Sequence, residues 1–380
     1  MFSTSALRKR RLANGDLSVD LFSKFLGFCD AWTSWQFDQT PVLARRIVEA
    51  APQYGISHAL LATEDAFFST LPDQGQHIPA LERDRLRAEA DSEAKVAMEL
   101  DPKHMAGLVD WTYAIINDPL RDLAEREQLL QRNLSTDPAF QNQTLWAYAN
   151  LLERVGRTDE ARSYYLRREE AFPGDLGWPP QFRSIELVAA SGDIQEARDE
   201  LARLEPTSPT YEARFAVEFL YGDPAVAKEL SKDERYVQLI PPSQRRCVDA
   251  VLDAKLRHGQ LSVEEIDAAC AIHFNIAGFA RELAEFYAGS GHFDAAYRQL
   301  ETDRAWYAGF TAQEHLFLPE MRSVRADSRF MPYAAGIGLV DYWLKTDHWP
   351  DFCSREKLPY DCKEAALAAQ AKIHSNASNP

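Results

Sequence analysis

The chain has 380 residues and a net charge of −16, with 58 acidic against 42 basic side chains. That length exceeds one ordinary compact core, so several domains or one repeat array are expected. The acidic balance opposes phosphate backbones and anionic membrane surfaces, so direct nucleic-acid binding is not expected. No run of about 18 apolar residues marks a spanning helix.

Residues 1–16 carry a basic cluster, Arg8-Lys9-Arg10-Arg11, without an apolar stretch of signal-peptide type beside it. It reads as a short solvated tail. The chain as written reads as cytoplasmic; a periplasmic location is the alternative if it is a fragment of a membrane-anchored regulator. Residues 17–100 follow as degenerate helical repeats, seen best in LARRIVEAAPQYG. Residues 71–80, LPDQGQHIPA, break the pattern as an inserted loop that could fold into a neighbouring groove.

From 101 to 310 two ladders of punctuation run in parallel. Pro102, Pro138, Pro173 and Pro209 lie 36, 35 and 36 residues apart. Three of the four close helical stretches, as in AMELDP and YLRREEAFP, and the fourth comes just after one. Gly156, Gly192, Gly222, Gly259 and Gly291 are spaced by 36, 30, 37 and 32, each between two amphipathic stretches. A helix C-cap there needs positive φ, which glycine adopts without a Cβ clash. Between the marks the apolar residues have helical period: Leu145, Tyr148, Ala149 and Leu152 share one face. Sustained strand alternation is missing. The fold class expected is therefore all-α. A hairpin this short buries its apolar face only by stacking on its neighbours, which gives a superhelical solenoid.

Gly156, Ala161, Tyr165 and Pro173 stand at offsets that resemble the tetratricopeptide repeat (TPR). Gly192, Ala197, Leu201 and Pro209 repeat the frame, Gly291, Ala296 and Leu300 repeat it without the proline, and Gly222 with Ala227 fits in part. The resemblance covers about 90–310 and implies a right-handed superhelix of helical hairpins. It also implies a protein or peptide ligand in the concave groove lined by the first helix of each hairpin. Counting back from the glycines puts Gln143, Trp146, Asn150, Arg281 and Glu285 on that face. Of the Lys and Asn set with which some members clamp an acidic peptide terminus, Asn150 alone matches.

Residues 311–362 read as a capping segment, followed by a terminal helix and tail over 363–380. Arg325, Asp327, Arg329, Phe330, Gly338, Leu339, Tyr342 and Trp343 resemble the end of TPR regions found behind winged-helix regulators of the CadC type in alphaproteobacteria. That implies the sensory or regulatory part of a signalling or transcription system; the winged helix and membrane span of those proteins are not in this sequence. Trp343, Trp349, Phe352 and Tyr360 would anchor the cap on the last hairpin.

The five cysteines are too few for a disulfide framework. Cys29 and Cys270 sit in apolar helical patterns and read as core residues. Cys353 and Cys362 leave two readings open: a disulfide in an oxidising compartment, or two free thiols in a packed cap. With His348 and nearby aspartates they form the best local cluster for a metal, an alternative that would make the chain a metal-binding protein or an enzyme. Zinc sites favour closer cysteine pairs, so no metal is expected. Nucleophile, zincin and phosphate-loop motifs are missing, and His258, His273, His292 and His315 read as structural. No catalytic residue and no cofactor is expected; the oligomeric state stays open.

Overall fold

The fold is described from a computed structural model. The residues it describes are 19–33, 39–70, 80–116, 123–136, 141–172, 183–204, 208–234, 242–256, 262–270, 279–302 and 314–377. Among them every regular element is helical, as expected. They form two compact units, one reaching to Tyr148 and the other starting at Ala149. The boundary falls inside the stretch read as continuous repeats. The loop expected over 71–80, the Arg8–Arg11 tail, and Pro138, Pro173, Gly259, His258 and His273 lie outside the described residues, apart from Ala80.

The first unit holds α1 (Val19–Thr33), α2 (Thr40–Ala50), α3 (Gly55–Thr70), α4 (Ala80–Leu100), α5 (Pro102–Ile116), α6 (Leu123–Thr136) and the start of α7 (Gln141–Arg154). Its axis is α3, which packs against α2, α4 and α5. Leu60 and Leu61 join Phe25, Phe28, Ala44 and Ile47 in one apolar cluster. The same helix also buries Thr63, Glu64 and Asp65 completely. Thr40 donates to Glu64 at 2.6 Å and Arg45 to Asp65 at 3.0 Å. Burial still dominates, and pushes Glu64 up to about 8 and Asp65 to about 7.

The second unit takes the rest of α7, then α8 (Thr158–Ala171), α9 (Arg183–Ser191), α10 (Ile194–Ala202), α11 (Ser208–Leu220) and α12 (Pro224–Leu230). It continues through α13 (Pro242–Leu256), α14 (Val263–Cys270), α15 (Phe279–Gly289) and α16 (Phe293–Thr302). Two 3-10 turns, Glu314–Phe317 and Pro319–Met321, lead into α17 (Arg322–Arg325), α18 (Phe330–Gly336), α19 (Leu339–Thr346), α20 (Phe352–Arg355) and α21 (Cys362–Ala377).

The glycine frames are largely as read. At Gly156, Gly192 and Gly291 φ is positive. Each closes its helix by the same pair of bonds: Gly156 N to Glu153 O and Arg157 N to Leu152 O, for example, at 2.9 and 2.8 Å. The alanine five residues on from each frame glycine, at Ala161, Ala197, Ala227 and Ala296, is fully buried. Gly222 departs from the frame, because its φ is not positive. There the carboxylate of Glu218 accepts from Asp223 N at 3.0 Å, and Asp223 caps α12 through Ala225 N. A side chain thus does what the left-handed glycine does elsewhere. Pro102 and Pro209 mark helix boundaries as read, and with Pro224 and Pro242 they also stand in the first turn of the helix that follows. A missing N–H costs nothing there.

The larger correction concerns the C-terminal segment. It does cover the last hairpin: Tyr297 donates to Val324 O at 3.0 Å and Arg329 to Asp294 at 2.6 Å. But Trp343 is anchored elsewhere. Its Nε1 donates to Val155 O at 2.9 Å, and Asp351 N donates to Gly156 O at 2.8 Å. Asp351 Oδ2 accepts from Thr158 Oγ1 and Asp159 N at 2.9 and 3.0 Å, capping the start of α8. The segment therefore touches the first turn of the unit as well as its last hairpin.

Gly156 makes that seat possible, since a Cβ there would lie 2.5 Å from Pro350 and 2.8 Å from Phe317. At Gly192, also left-handed, a Cβ would meet nothing within 4 Å. Gly192→Ala should cost about 1 kcal/mol, the left-handed penalty alone. Gly156→Ala should cost that plus overpacking, about 2–4 kcal/mol in all. Chemical denaturation of the two variants checks the difference; equal losses would mean that the C-terminal segment is not seated on the turn.

Candidate functional site

The second unit gathers polar groups in its interior from the ends of successive helices. Glu153, near the end of α7, is almost wholly buried; it accepts from Tyr165 at 2.9 Å and from Arg183 at 2.9 Å. Arg183 also donates to Glu186 at 2.6 Å. Tyr221 follows α11, and its hydroxyl is pushed well above the ordinary range. Burial is the first cause, with the charges of Glu320, Glu285 and Glu186 adding to it and Arg183 opposing. Near the end of α13, Lys255 donates to Phe219 O at 2.7 Å, with its Nζ 5.1 Å above the Phe219 ring.

On α15, Glu285 is 3% exposed and shares a hydrogen bond with His315 Nδ1. Its Oε2 is buried without a donor, and so is Oε2 of Glu320. Burial, then the charge of Glu285, raises the Glu320 carboxyl to about 7, against the pull of Lys255 and Arg325. Lys255 is lowered by burial, the two glutamates opposing. The interior thus holds two carboxyl groups with one bond short each, beside a lysine, a phenol and an imidazole. Chemically it can hold a proton or a hydrogen-bond donor from outside the chain.

Of the residues expected to line a partner groove, Glu285 is the one placed in this interior, and His315 from the chain's own 3-10 turn covers it. Asn150 is buried at 6%, while Trp146 is part-exposed. The side chains of Gln143 and Arg281 lie outside the described residues. Lys255 and Glu320 escaped the sequence reading; Lys255 had one signal, a cation set between Ala254 and Leu256 in the apolar stretch AVLDAKL.

Every residue of the C-terminal run has a structural task. Arg325 is 1% exposed and donates to Leu316 O, Leu318 O and both oxygens of Glu356. Asp327 accepts from Arg329, Phe330 and Leu339 are fully buried, and Gly338 is left-handed. Tyr342 accepts from Arg157 at 2.8 Å. Cys353 and Cys362 form a disulfide, so their sulfurs are tied to each other instead of serving as zinc ligands. Cys270 is not a plain core residue, because it pairs with Cys247 across α13 and α14; Cys29 is the free thiol.

No protein-family model matches the chain, and no curated protein matches it.

Lys255 supplies the positive charge that offsets Glu320 and Glu285. A carboxyl raised in the folded state costs stability as pH rises from its ordinary value through its folded one. Removing Lys255 moves the folded value higher still. Lys255→Met should therefore lose more stability at about pH 8 than at about pH 6, by roughly 1.4 kcal/mol per added pKa unit. Denaturation curves at the two pH values check this; a loss independent of pH would remove the coupling.

Proposed function

We propose that the chain is a tetratricopeptide-type binding module, a right-handed superhelix of hairpins that captures a protein or peptide as the sensory or regulatory part of a larger system. The observation that carries this reading is the complete burial of Ala161, Ala197, Ala227 and Ala296 in a recurring frame. Close stacking of hairpins requires a small residue at that position. The tasks of Arg325, Phe330, Tyr342 and Trp343 fit a segment whose business is closing a helical array. Trp146 is the groove residue we assign to a partner, since it is part-exposed while Glu285 bonds His315. A part-exposed indole suits a peptide anchor.

The test uses the full chain, immobilised under oxidising conditions and cross-linked in extract of its source cell. Trp146→Ala with unchanged helicity should lower recovery of the specific partner at least about tenfold, or 1.4 kcal/mol. Equal recovery from both proteins removes the groove assignment. An absence of any retained protein removes the binding-module reading.

The proposal includes an oxidising compartment such as the periplasm, in place of the cytoplasmic expectation. Two disulfides in one unit support it, since such bonds persist where thiols are not kept reduced. Alkylation of native protein should label one cysteine of the five, Cys29, and all five after denaturing reduction. Reduction should destabilise the second unit by about 3 kcal/mol for each bridge lost. Labelling of all five before reduction would return the chain to a reducing compartment.

A further inference from the structure

Where the C-terminal segment meets α8 and α9, a cleft of about 210 Å³ remains. Sites for drug-sized molecules run from about 300 to 1,000 Å³, so this one suits something smaller. Leu187, Ala190, Phe317 and Phe352 give it apolar walls, and four arginines and three acids give it charge.

All three acids are committed. Asp351 takes Thr158 and the backbone of Asp159. Asp159 takes Arg355 at 2.9 Å. Glu356 takes the buried guanidinium of Arg325 with both oxygens. Two arginines are held only by one long ion pair each. Arg162 has a buried Nε without an acceptor, and its Nη2 lies 3.5 Å from the exposed Glu196. Arg322 is 71% exposed and 3.6 Å from Glu356, too far for a hydrogen bond and from an oxygen that Arg325 already holds. The cleft is thus left with positive charge, one orphan donor and an apolar floor.

We propose that this cleft binds a small organic anion, its oxyanion group held between Arg162 and Arg322 and its body set against Leu187, Ala190 and Phe317. Planar guanidinium groups recognise carboxylate and phosphate oxygens alike. The bound molecule joins α8 and α9 to the C-terminal segment, more than 100 residues further along the chain. It therefore stabilises the closed unit in proportion to its occupancy. This site is separate from the peptide groove, and either can fail without the other.

The experiment titrates the intact, oxidised chain with benzoate and phenyl phosphate, with inorganic phosphate, acetate and benzyl alcohol as controls. Calorimetry gives affinity, and a melting curve gives the thermal shift. Benzoate or phenyl phosphate should bind in the millimolar range or better and raise the melting temperature. Arg162→Gln and Arg322→Gln should each weaken binding about tenfold or more, while Arg203→Gln, an exposed arginine outside the cleft, should not. Arg322 is mostly in solvent, so its variant folds whatever happens to Arg162→Gln. Binding unchanged in both variants overturns the proposal, as does no binding of either anion at high millimolar concentration. Inorganic phosphate or acetate binding as well as the aromatic anions would show an adventitious ion only.

Discussion

The carbonyl of Gly156 is where the second unit closes. It accepts from Asp351 N, its neighbour Val155 O accepts from Trp343 Nε1, and the carboxylate of Asp351 then caps α8. These bonds join positions nearly 200 residues apart in the chain. In the stack of hairpins we propose, an apolar face would otherwise be exposed at each end. Here one segment covers the last hairpin through Tyr297 and Asp294 and also lies on the turn after α7. Everything placed by that segment depends on the same seat: the His315 that bonds Glu285, the half-buried Glu320, and the wall of the arginine cleft. The Cys353–Cys362 bridge closes a short loop right after Asp351 and Phe352. It limits the freedom of the unseated segment, so less entropy is lost on seating it.

The buried charges fall into two kinds, and the difference is in bond count. Arg325 and Glu356 are complete: two carbonyls and two carboxylate oxygens absorb the guanidinium donors, and Phe352 lies 5.5 Å beneath it. Such a pair holds one geometry. Glu320 and Glu285 are incomplete, each with one buried oxygen lacking a donor. Glu64 and Asp65 in the first unit resemble them, each with one unsatisfied buried oxygen and raised proton affinity. An unsatisfied buried carboxylate costs more than a complete one contributes. Glu320, Glu64 and Asp65 relax by holding a proton near neutral pH, which makes both interiors sensitive to acidity.

What could be read in the sequence was local. The glycine-to-alanine offset was legible because a Schellman turn and the stacking position after it lie within a few residues of each other. Gly222 broke the rule for a reason spacing does not carry: Glu218, one turn back, supplies the cap instead. The prolines were legible as boundaries, but not as first-turn residues of the helix to come. Cys247 and Cys270 lie on two different helices, 23 residues apart in the chain, and nothing in either context marks a bridge. The C-terminal run stood out as a motif, yet its meaning lies in contacts with Val155, Gly156 and Arg157 that no periodicity encodes. The same holds for the interior, where Lys255 and Glu320 come from segments with no shared pattern.

One short stretch connects these features. Arg325 donates to the carbonyls of Leu316 and Leu318, on either side of Phe317. Phe317 forms a wall of the arginine cleft and would also meet a Cβ at Gly156. His315 and Glu320, a residue or two beyond each carbonyl, belong to the polar interior. The stretch thus has the cleft on one side and the polar interior on the other, fixed between them by a single guanidinium. Phe317 and His315 stand two residues apart in the 3-10 turn Glu314–Phe317, and Arg325 holds the carbonyl between them and the one just after the turn.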